Sequence, residues 1–440
     1  MSAATPHPIR QNPIQAHGRI LTAALVGTAV EFYDFYIYAT AAALVIGPLF
    51  FPAQSVAAQQ LLSFMTFGLA FFARPVGAIA FGHFGDRIGR KSTLVASLML
   101  MGGSTLLIAF LPTYAMAGPF APALLCLLRF GQGFGLGGEW GGASLLAVEN
   151  APKGWEARFG AAPQLGAPLG FLCANGLFLL LGLGLTEAEF AAWGWRIPFL
   201  ASAVLVGVGL WVRLRIGETP AFRAAMEEAP PPKVPVGRLF ADHPGAVVAG
   251  IAGVVACFAI FYLATTFSLS FGTKTLGYAR EQFLAVQLGA NTFLAFGIIA
   301  AGWWADKTSP RNVLGKGALL TVLVGLVFGS GLGSGSLLTV FLTLSAALFV
   351  MGLCYGPLGA WLPTLYAVPV RYTGISIAFN VGGIIGGALA PFAAQMLADR
   401  GGTPYVGLFL TAAGAVTVLG VLFGRAAAAP VPYTSVLIEP

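Results

Sequence analysis

The chain has 440 residues, of which 57% are hydrophobic and only 9% charged, with a formal net charge of +7. Mean hydropathy is +0.83. Soluble domains carry about 25% charged residues, so this chain has too little charge to cover a water-exposed surface. Lipid must be its solvent, which excludes a soluble enzyme and leaves the positive balance to orientation rather than to nucleic acid.

Apolar segments fall at about 20–47, 59–82, 92–112, 121–148, 160–185, 196–214, 245–271, 282–304, 313–333, 337–361, 372–398 and 405–424. Each is long enough to cross a bilayer as a helix of roughly 20 residues, and Gly/Pro breaks and charge clusters separate them. The expected class is an all-α integral membrane protein with twelve transmembrane helices. With both ends of the chain on the cytoplasmic side, seventeen Lys/Arg fall on that side and three (Lys274, Arg280, Arg400) on the other; Arg74, Arg129 and Arg196 lie within or at the edge of spans. That is a strong positive-inside bias. No cleavable signal is evident, because the first apolar run is long and contains acids. The four cysteines, Cys126, Cys173, Cys257 and Cys354, sit in apolar runs; they are expected to be reduced and buried, with no metal-ligand spacing.

The first span holds "EFYDFYIYA", with Glu31 and Asp34 inside an apolar run. Three residues apart, they are expected to share one helix face. Burial disfavours the charge of a carboxylate and a nearby arginine favours it. A carboxylate between those effects can take up and release a proton as access alternates. A static ion pair, with Arg129 as partner, is the plainer alternative. After the second span comes "GHFGDRIGRKS". Gly82, Gly85 and Gly89 allow tight turns and close helix approach; Asp86 suits a helix N-terminus; Arg87, Arg90 and Lys91 hold the loop inside. This loop resembles the signature loop of the major facilitator superfamily, which acts there as a conformational latch. Its counterpart after the eighth span, "GWWADKTSPR", repeats Gly82 at Gly302, Asp86 at Asp306 and Lys91 at Arg311, each 220 residues on. The spacing argues for a duplicated unit: residues 1–215 as one six-helix bundle, 216–244 as a cytoplasmic linker, and 245–440 as a second, pseudo-symmetric bundle with a short cytoplasmic tail.

The fourth span, "LRFGQGFGLGGEWGGA", places Arg129, Gln132, Leu136 and Glu139 on one face. A charge at the centre of a span costs about 2.5–3.5 kcal/mol, so such residues face a cavity or a partner. Arg129 and Glu139 are therefore site candidates, with structural ion pairing as the alternative. Tyr38, Gln132, Gln164, Asn291, Tyr355 and Asn380 are candidates by position inside spans, against the ordinary reading that such groups join helices. Arg74 beside Pro75 is another. The glycine-rich runs form no nucleotide site, since no strand precedes them and no Gly-Lys-Ser/Thr element is present.

Six stretches, "VGTAVEFYDFYIYATAAA", "FARPVGAIAFGHFGDRIGRKSTL", "LRFGQGFGLGGEWGGA", "PQLGAPLGF", "WGWRIPFL" and "VRYTGISIAFNVGG", resemble the metabolite:proton symporter family of that superfamily, most closely its shikimate-like branch and relatives of undefined substrate. The resemblance implies a proton-coupled symporter of a small organic acid or related metabolite in the inner membrane, driven by the proton gradient without a cofactor or metal, and monomeric. On the residues themselves, Asp34, Glu31 and Glu139 are the candidates for proton coupling and Arg129 with the polar candidates above for substrate; the resemblance adds Asp306 and Arg311 with the first-half loop as the latch. Two departures stand out: Thr364-Leu365-Tyr366-Ala367 replaces the family's Glu-x-x-Pro, and Ser309-Pro310-Arg311 lacks a glycine, which predicts weaker latching in the second half. The tail after Arg425 is short and has no heptads, unlike osmosensing relatives. An antiporter of the same fold and a non-transporting membrane sensor are the rival expectations; a membrane enzyme finds no catalytic set.

Overall fold

The computed structural model describes residues 18–88, 90–137, 139–215, 236–367 and 370–424. Every regular element among them is a helix. The long helices are α1 (Gly18–Leu44), α2 (Val56–Ile88), α3 (Arg90–Ile108), α4 (Phe120–Glu149), α5 (Glu156–Gly184), α6 (Ile197–Arg215), α7 (Pro244–Lys274), α8 (Arg280–Lys307), α9 (Pro310–Leu332), α10 (Leu337–Leu365), α11 (Arg371–Gly401) and α12 (Thr403–Phe423). Ten of them are long and apolar enough to cross a membrane. The other two are α1, which carries Glu31 and Asp34, and α3, whose apolar stretch is Val95–Ile108. Side chains such as Leu183, Val204, Phe296, Leu326 and Phe423 are more than half exposed on the outer faces, an apolar coat that only lipid can solvate. Within the expected linker 216–244, Val236–Asp242 forms a short helix leading into α7, and 216–235 lie outside the described residues.

Helices of the same rank pair in both halves. α2 packs on α4 as α8 packs on α10; α3 packs on α6 as α9 packs on α12. Backbone contact sets the first kind of pair. A Cβ on Gly77 would lie 1.9 Å from the Phe134 carbonyl oxygen, and one on Gly297, 220 residues later, 2.3 Å from that of Phe349. Glycine is required at both places because any side chain would overlap the neighbouring backbone. The halves meet through α2 with α11 and α5 with α8, the same two ranks exchanged.

Several helices are irregular near this boundary. α4 turns at Gly137, α5 at Leu165 after Pro163, and α10 near Pro357. α7 and α11 carry π-helical turns at Leu263–Phe267 and Ile384–Ala388. Such breaks free backbone carbonyls that must find other donors. Asn380 Nδ2 donates to the Gly137 carbonyl at 3.1 Å across the halves, and Gln287 Nε2 donates to the Ala264 and Thr265 carbonyls at 3.2 and 2.7 Å.

Contacts close the boundary at both ends. At the end bearing the α4–α5 and α8–α9 connections, Asp306 accepts the Ala157 backbone N–H at 2.7 Å and the Arg158 Nε–H at 2.5 Å. Beside it, a Cβ on Gly359 would lie 2.8 Å from the Gly160 carbonyl oxygen. At the opposite end Lys274 bonds the Gln60 side chain, and Arg280 reaches Glu187 at 3.2 Å. The Ser309-Pro310 departure has a local reason. Ser309 caps α9 by accepting the Asn312 N–H at 3.2 Å, and Pro310 takes the first helical turn. Arg311 donates to the Val421 and Leu422 carbonyls at 3.0 and 2.9 Å, tying α9 to α12 within the second half.

The four cysteines are free. Cys257 and Cys354 are buried as expected; Cys126 is half-buried and Cys173 is exposed, because it lies on the outer rather than the inner side of α5.

Candidate functional site

A cavity of about 30 Å³ lies between the halves, lined by α1, α2, α4 and α11. It has room for a water or two, not for a metabolite, so the halves must part for anything larger to enter. Glu31 and Arg74 line it from one half, Ser376 and Asn380 from the other. Glu31 and Arg74 interact electrostatically. Arg74 is nearly buried, and its guanidinium sits 4.4 Å from the Phe35 ring centroid and 4.5 Å from that of Phe71. Its Nε, like Ser376 Oγ, finds no hydrogen-bond acceptor or donor among the described residues. A buried unpaired polar group is costly, so both atoms are ready to meet a polar ligand. The Trp140 ring lies on the Phe379 ring, centroids 3.6 Å apart and 6° from parallel, joining α4 to α11. Trp140 Nε1 donates to Gln164 Oε1 at 3.2 Å, while Gln164 Nε2 is buried with no hydrogen-bond partner among the described residues.

Glu31 and Asp34 do not share a face of the site. Three residues turn a helix by about 300°, and here the residual angle separates two environments. Glu31 looks into the cavity; Asp34 is fully buried inside the first half. Asp34 Oδ1 accepts the Ser202 hydroxyl of α6 at 2.5 Å, and Oδ2 has no partner among the described residues.

Arg129 is also away from the cavity. It is fully buried, its Nη2 donates to the Phe67 carbonyl at 2.9 Å, its Nε to that of Thr66 at 3.3 Å, and its Nη1 to Gln132 Oε1. Its guanidinium stands 3.7 Å from the Tyr38 ring centroid, and Tyr38 in turn bonds Thr66 at 2.7 Å. Gln132 Nε2 donates to the Asp34 backbone carbonyl and to Thr105 Oγ1, both at 2.9 Å. The alternative reading, an ion pair of Arg129 with an acid of α1, gives way to a bridge: Gln132 links the guanidinium to the Asp34 backbone carbonyl. None of the ion pairs among the described residues includes Asp34 or Arg129.

Among the other candidates, Asn380 and Gln164 border the cavity or its Trp140 wall. Asn291 donates to the Pro168 carbonyl at 2.9 Å, joining α8 to α5. Gly89 and the side chains at 82–88, 90, 91 and 139 lie outside the described residues; the latch roles of Gly82, Asp86, Arg87, Gly89, Arg90 and Lys91 and the coupling role of Glu139 fall there. The sequence offered Arg74 only by its location inside a span, beside Pro75, whereas Arg129 stood in a polar stripe. The available signal was its position, a lone arginine in mid-span. The stack of Trp140 on Phe379 had no signal at all, since the two are far apart in the chain.

A family model for sugar (and other) transporters matches residues 20–229. The chain is 46% identical to an inner membrane metabolite transport protein of Escherichia coli K12, over 94% of this chain and 96% of that one. It is 37% identical to the shikimate transporter of the same organism, over 86% and 87%. Among solved structures it is similar to a D-xylose–proton symporter, with a TM-score of 0.70 at 17% identity, covering 94% of this chain and 97% of the other. A partially occluded inward-open form of the Escherichia coli xylose transporter gives 0.71 at 15% identity over 92% and 96%. With two matched halves around a central cavity and full-length relatives of this kind, the chain belongs to the metabolite transporter family of the major facilitator superfamily.

Proposed function

We propose that the protein is a proton-coupled symporter of a small organic anion, working by alternating access in the inner membrane with both termini cytoplasmic. The observation that carries this reading is the placement of Arg74 and Glu31 in one cavity between halves that touch at both ends of their boundary. An arginine with a free buried donor suits a carboxylate. Asp34, buried with one oxygen unpaired among the described residues, suits a proton: a lone ionised carboxylate there would cost several kcal/mol. Substrate at Arg74 and a proton on an acid of α1 together lower the buried charge, so the loaded carrier reorients more easily than the half-loaded one. The name of one relative, a shikimate transporter, supports the substrate class, shikimate being a small hydroxylated acid. No cofactor is needed, the proton gradient supplying the energy, and the carrier works as a monomer.

The test is proton movement in proteoliposomes holding a pH dye, with shikimate, 2-oxoglutarate, citrate, proline and betaine added in turn. Acidification of the lumen on adding one of the acids supports symport and names the substrate. Alkalinisation of the lumen on adding the acid outside would make the protein an antiporter, and silence toward the whole panel would overturn the proposal.

A further inference from the structure

Phe35 stands next to Asp34 on α1, yet its ring is turned toward α2. It is 1% exposed. Two guanidiniums reach that one ring: Arg74 Cζ lies 4.4 Å from its centroid and Arg129 Cζ 5.3 Å. Both distances are within cation–π range. The two arginines belong to different parts of the site. Arg74 lines the cavity; Arg129 holds Gln132, which holds the backbone of Asp34. The ring is fixed from α2 by Phe67 and Phe71, at 5.4 and 4.9 Å, and from the second half by Tyr262 at 6.4 Å. Tyr262 directly precedes the π-helical turn of α7.

We propose that Phe35 is the positioning residue through which the occupancy of Arg74 is passed to the Arg129–Gln132–Asp34 network. Like charges in a low-dielectric interior repel strongly, and the electron-rich face of one ring keeps two of them close. A carboxylate that settles on Arg74 cancels one charge. Arg129 is then left as the cation bound to the ring, and the surroundings of Asp34 become less positive. A less positive setting holds a proton on Asp34 more firmly, so substrate and proton favour one another. The reverse also holds, because coupling between two sites is reciprocal. Any group that merely filled the space between α1 and α2 would leave each arginine to bind independently.

This inference rests on the symport reading. The test uses the same proteoliposomes and the compound of the panel that most strongly acidifies the lumen with the unaltered protein. Phe35→Leu keeps an apolar side chain of moderate size but removes the ring face; Phe35→Tyr keeps the face. Uphill accumulation under a proton gradient and equilibrium exchange without one are measured for each, with thermal unfolding as a check on folding. The expected result is that Phe35→Leu loses about tenfold more in accumulation than in exchange, in the usual range of coupling between sites, and that Phe35→Tyr restores coupling. Equal loss of accumulation and exchange, or full coupling in Phe35→Leu, would overturn the proposal while leaving symport in place. Silence of the unaltered protein toward the whole panel would overturn the symport reading, and this inference with it.

Discussion

The carboxylate of Asp306 accepts the backbone N–H of Ala157 at 2.7 Å, although the two residues belong to different halves of the chain. It also takes the Arg158 N–H at 3.3 Å and Nε–H at 2.5 Å. The acid thus caps the first turn of α5 from the end of α8, where the helix dipole favours an anion. Its side chain is 2% exposed, so solvent screens the contact little. Asp306→Ala is expected to shift the carrier toward opening at this end by about tenfold or more, the range of a lost cap plus a charge-assisted bond. Labelling of a cysteine placed in the cavity, from the side of the α4–α5 connection, would rise; unchanged labelling would show that the cap does not hold the closed state.

Asp34→Asn is expected to abolish proton-driven accumulation while leaving exchange. The amide can still receive the Ser202 hydroxyl that Asp34 Oδ1 receives at 2.5 Å, so the fold should survive, but the side chain cannot change its charge. Ser202→Ala removes that one bond and should weaken coupling only partly. Normal uphill uptake by Asp34→Asn would rule out Asp34 as an essential proton site.

Arg74→Lys is expected to be nearly as damaging as Arg74→Gln. The site uses a planar guanidinium lying against the rings of Phe35 and Phe71, and an ammonium reproduces neither the stacking nor the two-point grip on a carboxylate. Substrate affinity should fall by about tenfold to a hundredfold in either variant. Saturation curves for uptake would show it as a raised KM. A lysine variant with unchanged KM would mean that charge alone suffices.

At the opposite end, Arg280 and Glu187 should respond unequally. Glu187 is 81% exposed and Arg280 only 8%, and Arg280 also lies 3.9 Å from the Phe190 ring centroid and bonds Glu281. Exposed ion pairs are worth little. Glu187→Ala should leave uptake and stability near normal, whereas Arg280→Ala should lower the melting temperature and loosen closure. Equal effects would place the weight on the exposed pair instead.

Gly77→Val and Gly297→Val are expected to fail in parallel. Each would drive a Cβ to within 1.9 and 2.3 Å of a carbonyl oxygen on the partner helix, far beyond what side-chain repacking relieves, and overpacking of even a methylene or two costs about 1–3 kcal/mol. Size-exclusion profiles of the detergent-extracted variants would show loss of the folded species. If only one failed, the two α2–α4 and α8–α10 contacts would not be equivalent halves of one design.

The chain itself determined the membrane class, the number of spans and the duplication. Those properties are local or periodic: a stretch of apolar residues of bilayer length, a charge count per loop and a repeat 220 residues apart are all written along one dimension. The importance of α1 was also legible, because an acid in an apolar run is costly wherever the helix packs. What the residues along the chain could not decide was which polar groups face which others. Glu31 and Asp34 differ by only three positions, yet one looks into the cavity and the other into a bundle, and that choice depends on the rotation of α1 against α2, α4 and α6. Arg129 read as a binding residue from its span, but the carbonyls of α2 and the side chain of Gln132 occupy its donors. Arg74 gained its place because the two halves close over it, and the Trp140–Phe379 stack that helps close them joins residues far apart in the chain. Contacts between halves follow from shape and from which broken backbone groups need partners, and only the assembled structure settles both.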